Sequence, residues 1–169
     1  MLKIIKLLNE MKEKKIIQEY GIGGATALIY YFEPIQTQDI DVFVVIDSSS
    51  LLVSLRPIYE FLEQNGGEVK DEYIIIHNTP VQFLVPYNPL IDAALNDCIE
   101  ASYADTWVRI FSFEYLMAIM IQTGRGKDKA RLEEILKVKL AFNQDKLQSI
   151  LTEFELSYKW EKIQSGFDL

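Results

Sequence analysis

The stretch Asp39-Ile40-Asp41-Val42-Phe43-Val44-Val45-Ile46 constrains this chain more than any other. It is dense in β-branched side chains and free of Gly and Pro, so it reads as a strand. In a strand, side chains at i and i+2 share a face, with Cα atoms about 6.6–7 Å apart. Asp39 and Asp41 therefore project together. Their face continues through Phe43 and Val45, which sets the two carboxylates at the rim of an apolar core.

The pattern on either side predicts the neighbours of this strand. Residues 2–18 place Ile4, Ile5, Leu8, Met11 and Ile16 near helical spacing among Lys and Glu, an amphipathic helix. Tyr20-Gly21-Ile22-Gly23-Gly24 follows as a short strand ending in a glycine turn, and residues 25–32 continue as an apolar helix closed by Glu33-Pro34. Ser48-Ser49-Ser50 is placed to cap a helix over residues 51–64, with Asn65-Gly66-Gly67 ending it. Strands are expected over residues 68–78 and 81–85 with Thr79-Pro80 between them, then a helix over residues 89–96 and extended segments within residues 99–111. From Phe113 the pattern is helical: residues 113–123, 128–142 and 144 onward. Strands mixed with helices and then helices alone argue for an α+β or α/β core followed by a C-terminal helical segment. The expected boundary lies near Ser112, giving a core of residues 1–112 and a helical segment of residues 113–169 packed on it.

Two carboxylates on one strand face can converge on one divalent cation, or on a pair about 3.5–4 Å apart. Oxygen ligands of this kind suit Mg²⁺, which also holds nucleotide phosphates. Upstream, Gly23-Gly24 sits between a strand and a helix, where backbone N–H groups and the helix N-terminus attract anions. Each feature also has a plain structural use, the glycines as a tight connection and the Asp-x-Asp as an exposed strand end. Together they predict more. Gly24 precedes Asp39 by fifteen residues, room for one short helix and a turn, so both can meet beside the same strands.

Composition narrows the partners. Over 169 residues the net charge is −8, so contact with RNA or nucleotide requires a local basic patch rather than a basic surface. Arg125, Lys127, Lys129 and Arg131 form such a cluster, offset by Asp128. It can be a solvated helix start or one wall of a phosphate-binding cleft. Cys98, the single cysteine, cannot form an internal disulfide, which predicts a cytoplasmic protein. No apolar run reaches the about 20 residues of a membrane helix, and no signal peptide or membrane association is expected. His77, the single histidine, is expected in a turn, and Trp107, Phe111, Phe113 and Tyr115 at the junction with the helical segment.

The segment from Gly21 to Val44, with Gly23-Gly24 and then Asp39-Ile40-Asp41, resembles the signature of DNA polymerase β-like nucleotidyltransferases. Thr37, two residues before Asp39, and the Gly-Gly-x-x-Ala form are most similar to the AbiEii-type branch, which includes toxins of toxin–antitoxin and abortive-infection systems. Phe111-Ser112-Phe113-Glu114-Tyr115-Leu116, followed by Arg125-x-Lys127-Asp128, resembles a second segment of that branch. The resemblance implies an α+β fold with a nucleotidyltransferase-like mixed sheet flanked by helices, and Mg²⁺ held by Asp39 and Asp41, the catalytic pair. It also implies a nucleoside triphosphate bound by Gly23, Gly24, Thr37, Arg125, Lys127 and Asp128. The reaction implied is attack of an acceptor hydroxyl, on RNA, tRNA or a protein, at the α-phosphate. An antitoxin partner is implied as well.

The chain departs from that pattern twice. Gln82 stands where many members carry a third carboxylate, and an amide can ligate a cation but cannot serve as a base. Met120 stands where the branch tends to carry a lysine. These departures leave a second reading open, a catalytically weakened fold that binds nucleotide or a partner protein.

Overall fold

A computed structural model describes residues 1–32, 37–46 and 54–166. The strand predicted to open at Asp39 forms as Ile40–Val45 (β2), at the centre of the sheet, so Asp41 lies on it and Asp39 stands one residue before it. On one face Ile40, Val42 and Val44 are buried, and on the other Phe43 is buried while Asp41 is only partly covered. The apolar run is thus packed from both sides, and polarity returns only where the strand begins.

Before β2 come α1 (Leu2–Glu13), β1 (Glu19–Ile22) and α2 (Gly24–Tyr31). After it come α3 (Arg56–Gln64), β3 (Glu68–Lys70), β4 (Tyr73–Ile76), β5 (Thr79–Leu84), α4 (Pro89–Asn96), β6 (Ile99–Tyr103) and β7 (Thr106–Ile110). Helices α5 (Phe113–Thr123), α6 (Gly126–Lys137), α7 (Gln144–Glu153) and α8 (Ser157–Ser165) complete the described chain. The seven strands run in the order β3-β4-β5-β2-β1-β7-β6. β2 lies antiparallel to β1 and parallel to β5, so the sheet is mixed as expected. Helix α1 packs on β7 and β1, α2 packs on β2 and α5, and α5 also touches α4, α6, α7 and α8.

Several expectations shift in detail. The single strand predicted over residues 68–78 is a hairpin, β3 and β4, turning at Asp71-Glu72. Thr79-Pro80 lies inside β5 rather than between strands, and the turn is His77-Asn78, both with positive φ as a tight two-residue hairpin requires. Pro80 precedes the stretch that pairs with β2, which begins at Val81, so its missing N–H interrupts no bond on that side. Helix α3 starts at Arg56 with Pro57 in its first turn, where proline is tolerated, and residues 51–53 of the expected helix lie outside the described residues. The expected Ser48-Ser49-Ser50 cap and the Glu33-Pro34 stop lie outside the described residues. Helix α6 ends at Lys137. Past residue 144 the chain forms two helices, parted at Glu155, whose φ is 57°.

The junction after β7 is tied by polar groups as well as aromatic ones. Lys146 Nζ on α7 donates to Asp97 Oδ2 (2.6 Å) and Ser112 Oγ (3.2 Å), while the Asn143 N–H donates to Glu114 Oε1 (2.8 Å). Phe111, Phe113 and Tyr115 are buried there, but Trp107 is 67% exposed on β7 and packs no junction. Strand alternation explains it: Ala101 and Val108 take the buried positions, and Trp107 points the other way.

Candidate functional site

The site is assembled where β1 gives way to α2 beside the start of β2. Gly23 donates its N–H to the Asp41 carbonyl at 2.9 Å, extending the β1–β2 pairing by one residue. A Cβ at Gly23 would meet Phe43 Cε2 at 2.7 Å and Phe111 Cε2 at 3.2 Å, two rings stacked with centroids 5.0 Å apart. Gly23 therefore admits aromatic packing behind the site. Gly24 opens α2 with φ +57°, and a Cβ there would overlap Asp41 Oδ2. The Asp41 carboxylate thus lies directly over the first residue of the helix.

Asp39 is held from two sides. Thr37 Oγ1 stands 3.1 Å from both the Asp39 carbonyl and Asp39 Oδ1, and Thr26 Oγ1 on α2 donates to the same carbonyl at 3.0 Å. Burial raises the Asp41 carboxyl above its ordinary pKa, and the charge of Asp39 raises it further; Lys127 and Arg125 act in the opposite direction. Two anionic groups this close, one of them poorly solvated, form a site that a cation would relieve.

Across the sheet the polar row continues. Asp41 is in register with Gln82 on β5, and Val81 pairs with Ile74 on β4, so one step further along Tyr73 stands opposite Gln82. Asp41, Gln82 and Tyr73 all line the same cleft. Partial burial, and then the charges of Glu72, Asp39 and Asp41, hold the Tyr73 phenol above the usual phenol range.

The facing wall comes from α5 and α6. Gly124, with φ +60°, ends α5 in the left-handed conformation and turns the chain into Arg125, the cap of α6. Asp128, 1% exposed, accepts from Thr123 Oγ1 (2.7 Å) and from Arg125 Nε (2.6 Å), with Arg131 Nη1 at 4.0 Å. Its carboxylate is consumed in fixing the arginines. Arg125, Lys127 and Arg131 line the cleft together with Leu116, Ile119 and Met120, whereas Lys129 faces a separate groove beside α8. The cleft has a volume of about 540 Å³.

Of the residues singled out in the sequence, Gly24, Thr37, Asp39, Asp41, Gln82, Arg125, Lys127 and Asp128 border this one cleft, and Gly23 lies behind its wall. The sequence reading missed Tyr73. Its signal was the alternation in Tyr73-Ile74-Ile75-Ile76, with Ile74 and Ile76 buried, but its place beside Gln82 depends on a turn that was set two residues too late.

Among the described residues no three His, Cys, Asp or Glu side chains form a metal-binding group. The available donors are the two aspartate carboxylates and the Gln82 amide oxygen, all hard oxygen ligands. That set fits Mg²⁺, which commonly takes one or two carboxylates and completes its shell with substrate phosphates and water.

No family model matches the sequence, and no curated protein matches it. Solved structures do match. An antigenic nucleotidyltransferase-like protein from Paracoccidioides brasiliensis superposes with a TM-score of 0.61 at 14% identity, over 98% of this chain and 92% of that one. ANT(2")-Ia in complex with adenylyl-2"-tobramycin superposes with a TM-score of 0.51 at 16% identity, over 96% of each chain. The chain has a nucleotidyltransferase fold. Within that fold Asp41 lies on a central strand, Asp39 stands one residue before it, and the basic wall comes from the helices that follow the sheet. Among the described residues no helix is long and apolar enough to cross a membrane.

Proposed function

We propose that the cleft binds a nucleoside triphosphate with Mg²⁺ and transfers its nucleotidyl group to a hydroxyl of RNA, tRNA or a protein. One observation carries this reading: Asp39 and Asp41 face Arg125, Lys127 and Arg131 across one cleft of a nucleotidyltransferase fold. Asp39, Asp41 and the Gln82 amide oxygen would hold Mg²⁺, which would neutralise charge along the triphosphate and lower the pKa of the acceptor hydroxyl.

The chain's own groups do the rest. Arg125 and Lys127 bind phosphate oxygens, and the N-terminus of α2 at Gly24 adds partial positive charge. Asp128 and Thr37 are positioning residues, the first for Arg125 and the second for Asp39. Leu116, Ile119 and Met120 give the cleft an apolar side that excludes water from the triphosphate. The acceptor oxygen bonds to the α-phosphorus as the bond to pyrophosphate breaks, so catalysis is chiefly positioning and electrostatic stabilisation.

Within the nucleotidyltransferases, the resemblance of residues 21–44 and 111–128 favours the AbiEii-type branch and hence a toxin–antitoxin or defence setting, with an antitoxin as partner. A second reading, a weakened fold that binds nucleotide or partner without turnover, draws on Gln82 beside Asp41 and Met120 on the cleft wall. Incubation with each labelled triphosphate, Mg²⁺ and total RNA or protein separates the two. Label transfer that vanishes in Asp39→Ala supports the enzyme, and nucleotide binding without transfer for all four triphosphates supports the binding module.

A further inference from the structure

Resting on the nucleotidyl-transfer reading, we propose that the cleft carries its own acceptor: the Tyr73 hydroxyl, to which the protein attaches a nucleotidyl group. The argument begins with register. Tyr73 is the third member of the row Asp41–Gln82–Tyr73, which crosses β2, β5 and β4 on one face of the sheet. Adjacent strands lie about 4.7–4.9 Å apart, so the Tyr73 Cα stands roughly 9–10 Å from that of Asp41. The tyrosine side chain rises from the same sheet face and lines the cleft with the two aspartates. Ile74 and Ile76, 0% and 2% exposed, anchor β4 in the core and fix where the phenol can reach.

The hydroxyl is also available. Tyr20 and Tyr31 commit theirs to Asn9 Oδ1 (2.7 Å) and the Phe111 carbonyl (3.0 Å), and Thr37, the other hydroxyl on the cleft wall, is held against Asp39. Among the described residues Tyr73 Oη has no such partner. In the reaction the phenol oxygen forms a bond to the α-phosphorus of the nucleoside triphosphate. The bond from that phosphorus to the β-phosphate bridging oxygen breaks, pyrophosphate leaves, and the phenol proton passes to solvent. No oxidant or further co-reactant is required.

Intact-mass measurement and peptide mapping after incubation with each nucleoside triphosphate and Mg²⁺ test the proposal. The expected result is one added nucleotidyl group on the Tyr73 peptide, absent in Tyr73→Phe. A binding readout accompanies it: in protein made with 3-fluorotyrosine, the ¹⁹F signal assigned to Tyr73 shifts on adding a non-cleavable α,β-methylene triphosphate with Mg²⁺. A protein that binds Mg²⁺–triphosphate by calorimetry yet gains no adduct, gains it elsewhere, or leaves that signal unmoved overturns the inference while the proposed function stands. Absence of any triphosphate binding overturns both.

Discussion

Asp41 Oδ2 crowds the position that a β-carbon on Gly24 would take, with Asp41 Cγ 3.0 Å from that point. The first residue of α2 and the buried carboxylate of β2 therefore share one space, and only glycine at position 24 lets them. The left-handed φ of +57° at Gly24 adds a second reason, since a β-carbon strains that conformation by about 1–2 kcal/mol.

Gly24→Ala should displace the Asp41 side chain and strain the entry to α2. Each kcal/mol lost shifts the melting temperature by roughly 2–4 °C at this size, so a drop of a few degrees is expected, with Mg²⁺–triphosphate binding lost in calorimetry. Full binding in a folded Gly24→Ala protein would contradict the placement of Asp41.

Burial, and then Asp39, hold Asp41 above its ordinary value of 3.8. The folded state thus binds that proton more tightly than the unfolded state. Stability is undiminished below the ordinary value and falls as pH rises through the raised one. Asp41→Asn removes the penalised charge, so without metal at pH 7 this variant should melt higher than wild type. The gain should close as the pH is lowered toward 3.8. A melting curve at pH 7 equal to or below wild type is the adverse result.

Thr37→Val keeps the shape of the side chain and removes its contact with Asp39 Oδ1. Loss of a hydrogen bond that orients a metal ligand commonly weakens metal affinity about 10–100-fold. Titration of Mg²⁺ into the variant with triphosphate present should show a loss of that order, while its melting temperature stays near wild type.

Asp128 and Arg125 should separate folding from binding. Asp128→Ala leaves the arginines without their acceptor and opens a void at a 1% exposed position, so denaturant unfolding should show about 1–3 kcal/mol of lost stability. Arg125 is 59% exposed along its side chain, so Arg125→Ala should cost at most about 1 kcal/mol of stability and still weaken triphosphate binding. Unchanged affinity in a folded Arg125→Ala protein would return the basic cluster to a solvated helix start.

Gln82→Asp places a third carboxylate in register with Asp41. Calorimetry should record tighter Mg²⁺–triphosphate binding, together with a lower melting temperature in metal-free buffer because three like charges then crowd the row. No change in binding would argue against Gln82 as a ligand position.

The strands and helices that carry strong local patterns were readable in advance: β2 from its β-branched run, α5 from its apolar spacing, and α4 over residues 89–96. The β4–β5 hairpin was not. Thr79-Pro80 is the better turn by composition, but His77-Asn78 is chosen because it pairs Ile74 with Val81 and buries both. Tyr73 was hidden by that same slip, since a wrong register moves every side chain to another neighbour. Asp128 was readable as part of a basic cluster, though not as the group that orders it.

The amino-acid sequence by itself determined that two aspartates stand at the entry to a strand behind a glycine turn, because the β-branched run that makes the strand is local, although the strand begins one residue after Asp39. It also determined that strands and helices mix in a core followed by helices alone, since the alternation of element types is written in hydrophobic spacing. Only the tertiary structure decided which groups meet across the cleft. Gly24 under Asp41, Gln82 beside it, and Arg125 opposite are long-range juxtapositions, set by strand register and by how α5 packs on α2 and α6 on α5. Those choices depend on burying the whole core at once, and no local stretch of residues encodes them.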